Sequence, residues 1–439
     1  MHKRKMIYLC VIFQINLSIQ SMKCKFFFLA VLFLTITNSC DNNDSIVPDP
    51  EYGWGITMAG NDPEERTWPD LSENYWEYSF NLTKHDEGSV GLRFTGEFPK
   101  VNTRFFNITI YSDRTTERFG SIEDFNIEPE SGSGNPFNRE GVTGSNYFEI
   151  NAIPNTADAS KYKNCIVFPA NTERLTVLLR IYFNDIDHGA DFGGVDLPKI
   201  TYFDTKSGQD IGEAPRAKSL YYTRFMGIMS RIPLIQSQPK LYFTLAPNVL
   251  YQNGPTGYVT TANRMHKDSM LMFRFIPPVH PNSIAENATA DVRYWSICIG
   301  DTTTFTLTTL VDRTVIKDDK GYVNVVIADP SNSNFADIKA KAAQMKINLV
   351  EWSVEKYGEP LMAFYRQMYI RPDFEYSVQK MTPFPRLNEL GQPDSNDTTP
   401  GTEQLANFKL GEHGPFGYKK HVSFFMEDAF KIEDIRPQY

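Results

Sequence analysis

From about Asn74 onward, apolar and polar positions alternate with period two in short runs. This is the signature of half-buried β-strands. Tyr75-Trp76-Glu77-Tyr78-Ser79-Phe80-Asn81-Leu82 is the first run, and Ser89–Phe94 follows after the turn Asp86-Glu87-Gly88. Further strands are predicted at 146–152, 164–168 and 175–183. A second series runs through 240–243, 270–275, 303–310, 322–328, 347–352 and 360–369. The period changes to that of a helix at one clear place. Asn334 is a plausible N-cap, Asp337 lies in the first turn, and Ile338, Ala342 and Met345 form an apolar stripe.

One strand occurs twice. Arg104-Phe105-Phe106-Asn107-Ile108-Thr109-Ile110 and Arg293-Tyr294-Trp295-Ser296-Ile297-Cys298-Ile299 each begin with Arg, continue with two aromatics and a small polar residue, and end in alternating aliphatics. Each is followed, in the same order, by a loop, a strand, an Asn-led strand (Asn164 or Asn348) and an Arg-bearing strand (Arg180 or Arg366). A duplication is the simplest account. The expected fold is mainly β: two similar antiparallel β-sandwich-like units with one or two short helices. The expected limits are 73–205 and 239–380. A linker at 206–238 could hold an amphipathic helix near 217–230, bracketed by Pro215 and Pro233. Residues 381–439 read as a mobile loop and a C-terminal tail that regains strand character at His421–Met426.

The N-terminus has a different character. Met22-Lys23-Cys24-Lys25 precedes an apolar run, Phe26–Leu34, too short to span a bilayer, and then Ser39-Cys40. The stretch resembles a bacterial lipoprotein signal, with residues 1–39 removed, Met22 as the true start and Cys40 acylated. Asp41-Asn42-Asn43-Asp44 resembles the surface-export signal of Bacteroidetes lipoproteins. Residues 40–72, with four prolines beyond Cys40, read as a lipidated tether. An outer-membrane lipoprotein, exposed at the cell surface, is the expected location.

Composition adds limits. Aromatics reach 13% of the chain, which suits pleated sheet. The formal charge is -9 although residues 1–39 hold five basic residues and no acid. An acidic surface repels phosphate backbones, so no nucleic-acid partner is expected. No metal-binding cysteine motif occurs, and Cys165 and Cys298 either pair in an oxidising compartment or stand as separate core thiols. No phosphate loop, zinc-protease helix, nucleophile elbow or dinucleotide fingerprint is present.

Three groups of candidate residues remain. Asp185, Asp187 and Asp191 put hard carboxylates on one loop, the chemistry of a Ca²⁺ site, although an EF-hand's turn glycine and distal glutamate are missing. No other cofactor is implied. Arg180, Arg293 and Arg366, with Arg104, could bind carboxylate or phosphate in bidentate fashion, or pair with carboxylates at a sheet margin as part of the fold. Trp295 leads the aromatics that could form a sugar-stacking platform, with Trp54, Trp68, Trp76 and Trp352; the alternative is core packing.

Both units resemble a β-rich domain of unknown function found in bacterial secreted and envelope proteins. The resemblance rests on Phe106–Tyr111 and Leu179-Arg180-Ile181-Tyr182 in the first unit. In the second it rests on Trp295–Gly300, Asn348–Trp352 and Tyr365–Met368, with Gly300 standing where the pattern has Tyr and no proline after Asn348. It implies a β-rich fold and carries over no catalytic residue. The leading expectation is a lipid-anchored, non-catalytic envelope protein that binds a glycan or another envelope component. A hydrolase with an acidic/Arg site between the units, and a structural or assembly subunit, are the alternatives. Any function should lie where the copies differ, at 132–137, 185–191 or 205–238.

Overall fold

The computed structural model describes residues 51–55, 57–59, 69–82, 89–100, 102–218, 240–245, 251–254, 256–302, 305–381 and 405–435. Cys40, Trp68 and the helix expected near 217–230 lie outside them, apart from the first two positions of that helix. The mobile loop's residues 382–404 do as well. Described residues from 51 onward belong to one compact unit containing two similar antiparallel β-sandwich-like halves.

The first half opens with β1 (Glu51–Tyr52) and β2 (Thr57–Ala59). Its inner sheet has the order β2, β3 (Glu73–Asn81), β9 (Arg174–Phe183), β5 (Thr103–Ser112) and β6 (Arg118–Glu123). Its outer sheet has the order β11 (Asp210–Glu213), β10 (Lys199–Asp204), β4 (Val90–Glu97), β7 (Tyr147–Pro154) and β8 (Cys165–Phe168). The short β12 (Pro215–Arg216) pairs with β1.

The second half repeats this plan. Its inner sheet runs β14 (Thr244–Leu245), β15 (Thr256–Arg264), β21 (Pro360–Ile370), β17 (Val292–Asp301) and β18 (Thr306–Val311). Its outer sheet runs β13 (Lys240–Leu241), β22 (Phe416–His421), β16 (Ser269–Phe275), β19 (Val323–Ala328) and β20 (Asn348–Glu351). Both outer sheets end in one parallel pair, β7 with β8 and β19 with β20. Among the described residues all other strand pairs are antiparallel.

Alternation explains the cores. Phe106, Ile108 and Ile110 point from β5 into the first core, as Trp295, Ile297 and Ile299 do from β17 into the second. The intervening side chains, such as Phe105 and Tyr294, point the other way and are just as buried, because the two inner sheets pack against each other there. A third cluster covers the outer face of β16 and β19 with α1 (Phe335–Gln344) and α4 (Val422–Met426). Two further helices, α2 (Val354–Tyr357) and α3 (Ala406–Leu410), are each about one turn long. In α1 the side chain of Asn334 makes no cap bond; Asn332 Oδ1 accepts from the Asn334 N–H instead.

Several expectations need correction. The stretch assigned to a tether contributes β1 and β2, and its Asp70 and Ser72 are fully buried. The C-terminal strand ends at His421, whose side chain accepts from the Ser423 N–H and starts α4. The strand is also no appendage: it lies between β13 and β16, at the place β10 holds in the first half. Neither β6 nor β15 was expected. Their sequences are polar and carry Gly120 and Gly257, which hides a strand whose second face meets protein rather than water.

Candidate functional site

The two signature arginines meet across the seam between the halves. In β5 the register places Thr103 opposite Phe183 and Phe105 opposite Tyr182, so Arg104 is the extra residue of a β-bulge. In β17 the register passes over Arg293, between Val292 and Tyr294, and over Tyr369 on β21. Arg104, re-aimed by the bulge, pairs with Asp312 of the second half at 3.1 Å, and Arg293, in an unshifted register, pairs with Asp124 of the first at 2.5 Å. The guanidiniums are also crossed. Arg104 Nη2 donates to the Arg293 carbonyl at 2.7 Å, and Arg293 Nη2 donates to the Arg104 carbonyl at 3.3 Å. The two aspartates additionally accept from the Phe106 and Trp295 N–H groups at the matching places. Burial raises both aspartate pKa values and pushes Arg104 down to about 10, against the pull of the opposite charges.

Two short straps complete the exchange. Asp70 reaches over the second half, where Ser296 Oγ donates to it at 2.6 Å and Tyr294 OH at 2.8 Å. Residues 251–254 reach back over the first half. The carbonyl of Tyr251 accepts from Tyr111 OH and from Arg180 Nη2, and Asn253 Oδ1 accepts from Asn107 at 2.6 Å. Gly254 closes this strap. A side chain there would meet Ser121 Oγ at 2.5 Å, so glycine is what lets the strap approach β6.

Between the straps lies a buried ionic cluster. Arg366 stands 3.4 Å from Asp70 and 3.6 Å from Glu73, and Arg180 is also 3.6 Å from Glu73. Burial pushes the Glu73 carboxyl up to about 7 even with two arginines beside it. The Cys298 thiol, which accepts from Arg366, is pushed up to about 12 by burial, so it is inert. Both Cys165 and Cys298 are free.

The candidate residues therefore divide. Arg180 and Arg366 are occupied inside the seam, and Trp295 is fully buried with no face left for a ligand. Trp76 and Trp352 are core residues, and Trp54 packs on the first core with its indole N–H on the Pro198 carbonyl. The expected tryptophan platform is not assembled from these residues. Asp185 and Asp191 accept the backbone N–H groups of Asp187 and Gly193, and among the described residues no group of three or more His, Cys, Asp or Glu is placed to hold a metal ion. Of the four nominated arginines, Arg104 and Arg293 border open space.

That space is a groove along the seam with two lobes. The larger, about 890 Å³, is bordered by Arg118, Phe119 and Glu123 of β6, by Phe125, and by Tyr369 and Arg371 from the second half. The smaller, about 270 Å³, is bordered by Lys100, Arg104, Asn184 and Arg313. Arg293, Phe137, Ile284 and Asn287 border both. Arg293 sits within 5.2–5.8 Å of the rings of Phe105, Phe125, Phe137 and Tyr369, an aromatic cage around the ion pair. Tyr369 holds a left-handed backbone, φ 52°, and its buried hydroxyl lacks a hydrogen-bond partner. An aromatic residue in that conformation is strained by about 1–3 kcal/mol and marks a place the surroundings have fixed.

The groove is built where the halves differ. By strand register Arg118 corresponds to Thr306 and Glu123 to Val311, whereas Ser121 corresponds to Thr309. Phe137, on the loop singled out from the sequence, is part of it; β6 was missed and supplies much of the wall. Two β-sandwich-like halves clasped face to face, with a mixed aromatic and cationic groove at their seam, is the class that fold and site define. No protein-family model and no curated protein matches the chain. Among solved structures it is similar to an uncharacterised protein from Burkholderia cenocepacia, with 9% identity over 85% of this chain and 83% of that one and a TM-score of 0.45. It is also similar to the VPA0106 protein of Vibrio parahaemolyticus, with 8% identity over 71% of this chain and 88% of that one and a TM-score of 0.34.

Proposed function

We propose that this chain is a lipid-anchored cell-envelope protein that binds a glycan or another envelope component, without chemistry, in the groove between its halves. The observation that carries the reading is the groove itself. At about 890 Å³ its larger lobe is in the size range of small-molecule sites, and its lining mixes ring faces with a few placed polar groups. Among the described lining residues Glu123 is the sole carboxylate, whereas glycoside hydrolysis ordinarily needs two. The lipid anchor rests on the Phe26–Leu34 run and Cys40, and the Bacteroidetes-type envelope location on Asp41–Asp44. The matching strand orders and the paired roles of Asp124 and Asp312 support origin of the halves by duplication. No helix among the described residues is long and apolar enough to cross a membrane.

Screening the purified protein against immobilised saccharides tests the binding reading. Phe125→Ala should abolish at least nine-tenths of the signal while the melting temperature stays within a few degrees. Hits unaffected by Phe125→Ala would move the site elsewhere. Labelled palmitate should enter the wild type and not Cys40→Ala.

A further inference from the structure

The lobes differ in charge, and the difference names a ligand class. No acidic side chain lines the smaller lobe, while Lys100, Arg104, Arg293 and Arg313 all do. The neutralising partners of Arg104 and Arg293 stand behind the wall, since Asp312 and Asp124 are almost wholly buried, while Lys100 pairs with Glu97, which does not line the lobe. Arg313 is exposed and is held by neutral groups, the Asn184 side-chain oxygen and the Pro281 carbonyl. Arg104 is nine-tenths buried, and its Nε, unlike its two Nη atoms, has no hydrogen-bond partner. In a chain of net charge -9, four cations facing one small cavity form a local reversal of sign. The cavity, about 270 Å³, suits a single charged group rather than a chain of sugars. Phe137, Ile284 and Asn287 border it and the larger lobe alike, and there Phe119, Phe125 and Tyr369 border room for rings.

We propose that the ligand is an acidic saccharide, with its carboxylate or sulfate held in the cationic lobe and its neighbouring ring in the aromatic lobe. This rests on the groove reading above and narrows it. Forked guanidiniums recognise planar or tetrahedral oxyanions in bidentate fashion, and adjoining rings stack on sugar faces.

The test is isothermal titration with uronic acid oligosaccharides, the same oligosaccharides with their carboxylates reduced to alcohols, a sulfated oligosaccharide, and inorganic sulfate alone. Acidic oligosaccharides should bind at least tenfold tighter than their reduced forms. Affinity should fall as salt rises, and Arg313→Gln should weaken acidic binding about tenfold without changing the melting temperature. Lys100→Gln should act in the same direction. Equal binding of acidic and reduced forms would overturn the acidic assignment and leave the groove reading standing. Sulfate binding as tightly as the oligosaccharides would overturn the saccharide part, leaving a plain anion site. No binding by any probe would overturn both.

Discussion

At the scale of residues, the seam depends on charges that are costly to bury singly and tolerable as pairs. Removing Arg293 leaves Asp124 buried without its counter-charge, so Arg293→Ala should cost about 3–5 kcal/mol in urea denaturation. Replacing Arg293 and Asp124 together by apolar residues should cost clearly less, because no charge is then stranded. Glu73 gives a prediction in pH. Its folded-state pKa, about 7, lies above the ordinary 4.5, so the folded protein binds the extra proton between those values. Stability from this group is full below about pH 4.5 and is lost as pH rises through about 7. Glu73→Gln keeps the neutral form at every pH. Its stability relative to wild type should therefore rise by about 3 kcal/mol between pH 4.5 and 8, measured by paired denaturation curves. A flat difference would mean Glu73 is ionised throughout.

Elements show why some of this was legible in the sequence and some was not. Strands with an apolar core face, such as β5, β9, β17 and β21, betray themselves by alternation. So do the Asn-led strands: Asn164 bonds the backbone N–H and carbonyl of Glu128, and Asn348 does the same to Ile316, a matched device that pins each loop. The arginines were visible, but their partners were not. Asp124 and Asp312 stand in turns that look like any other acidic turn, and Asp70 stood in a stretch that reads as tether. Gly300, where the first half has Tyr111, also finds its reason here: Phe305 backbone lies too close for any side chain. The C-terminal strand β22 occupies an interior sheet position between β13 and β16. Truncation after residue 404 should therefore abolish soluble expression rather than trim a tail. Soluble, cooperatively folding protein from that truncation would contradict the topology.

For the whole molecule, the exchanged straps and crossed ion pairs bind two sandwiches that each have their own core. Arg104, Arg293 and Arg366 each find a carboxylate in the other half. Calorimetry should accordingly show one cooperative transition, with calorimetric and van't Hoff enthalpies equal, and not two. Two resolved transitions in wild type would mean the seam contributes little. In Arg293→Ala the single transition should broaden or split, because the weakened seam no longer couples the cores. The groove takes its charge from the same economy: the carboxylates that balance its arginines are spent inside, so the face turned to solvent is cationic.

The reciprocal seam also bears on how the chain is made. Synthesis delivers the first half while Arg293, Asp312 and residues 251–254 are still to come. Until they arrive, the surface destined for the seam presents Arg104, Asp124 and Arg180 to water. An apolar face of that size, waiting uncovered, would invite aggregation. Charges set beside the rings of Phe105 and Tyr182 keep this face wetted while it waits, and it becomes dry only when its own counterpart is delivered.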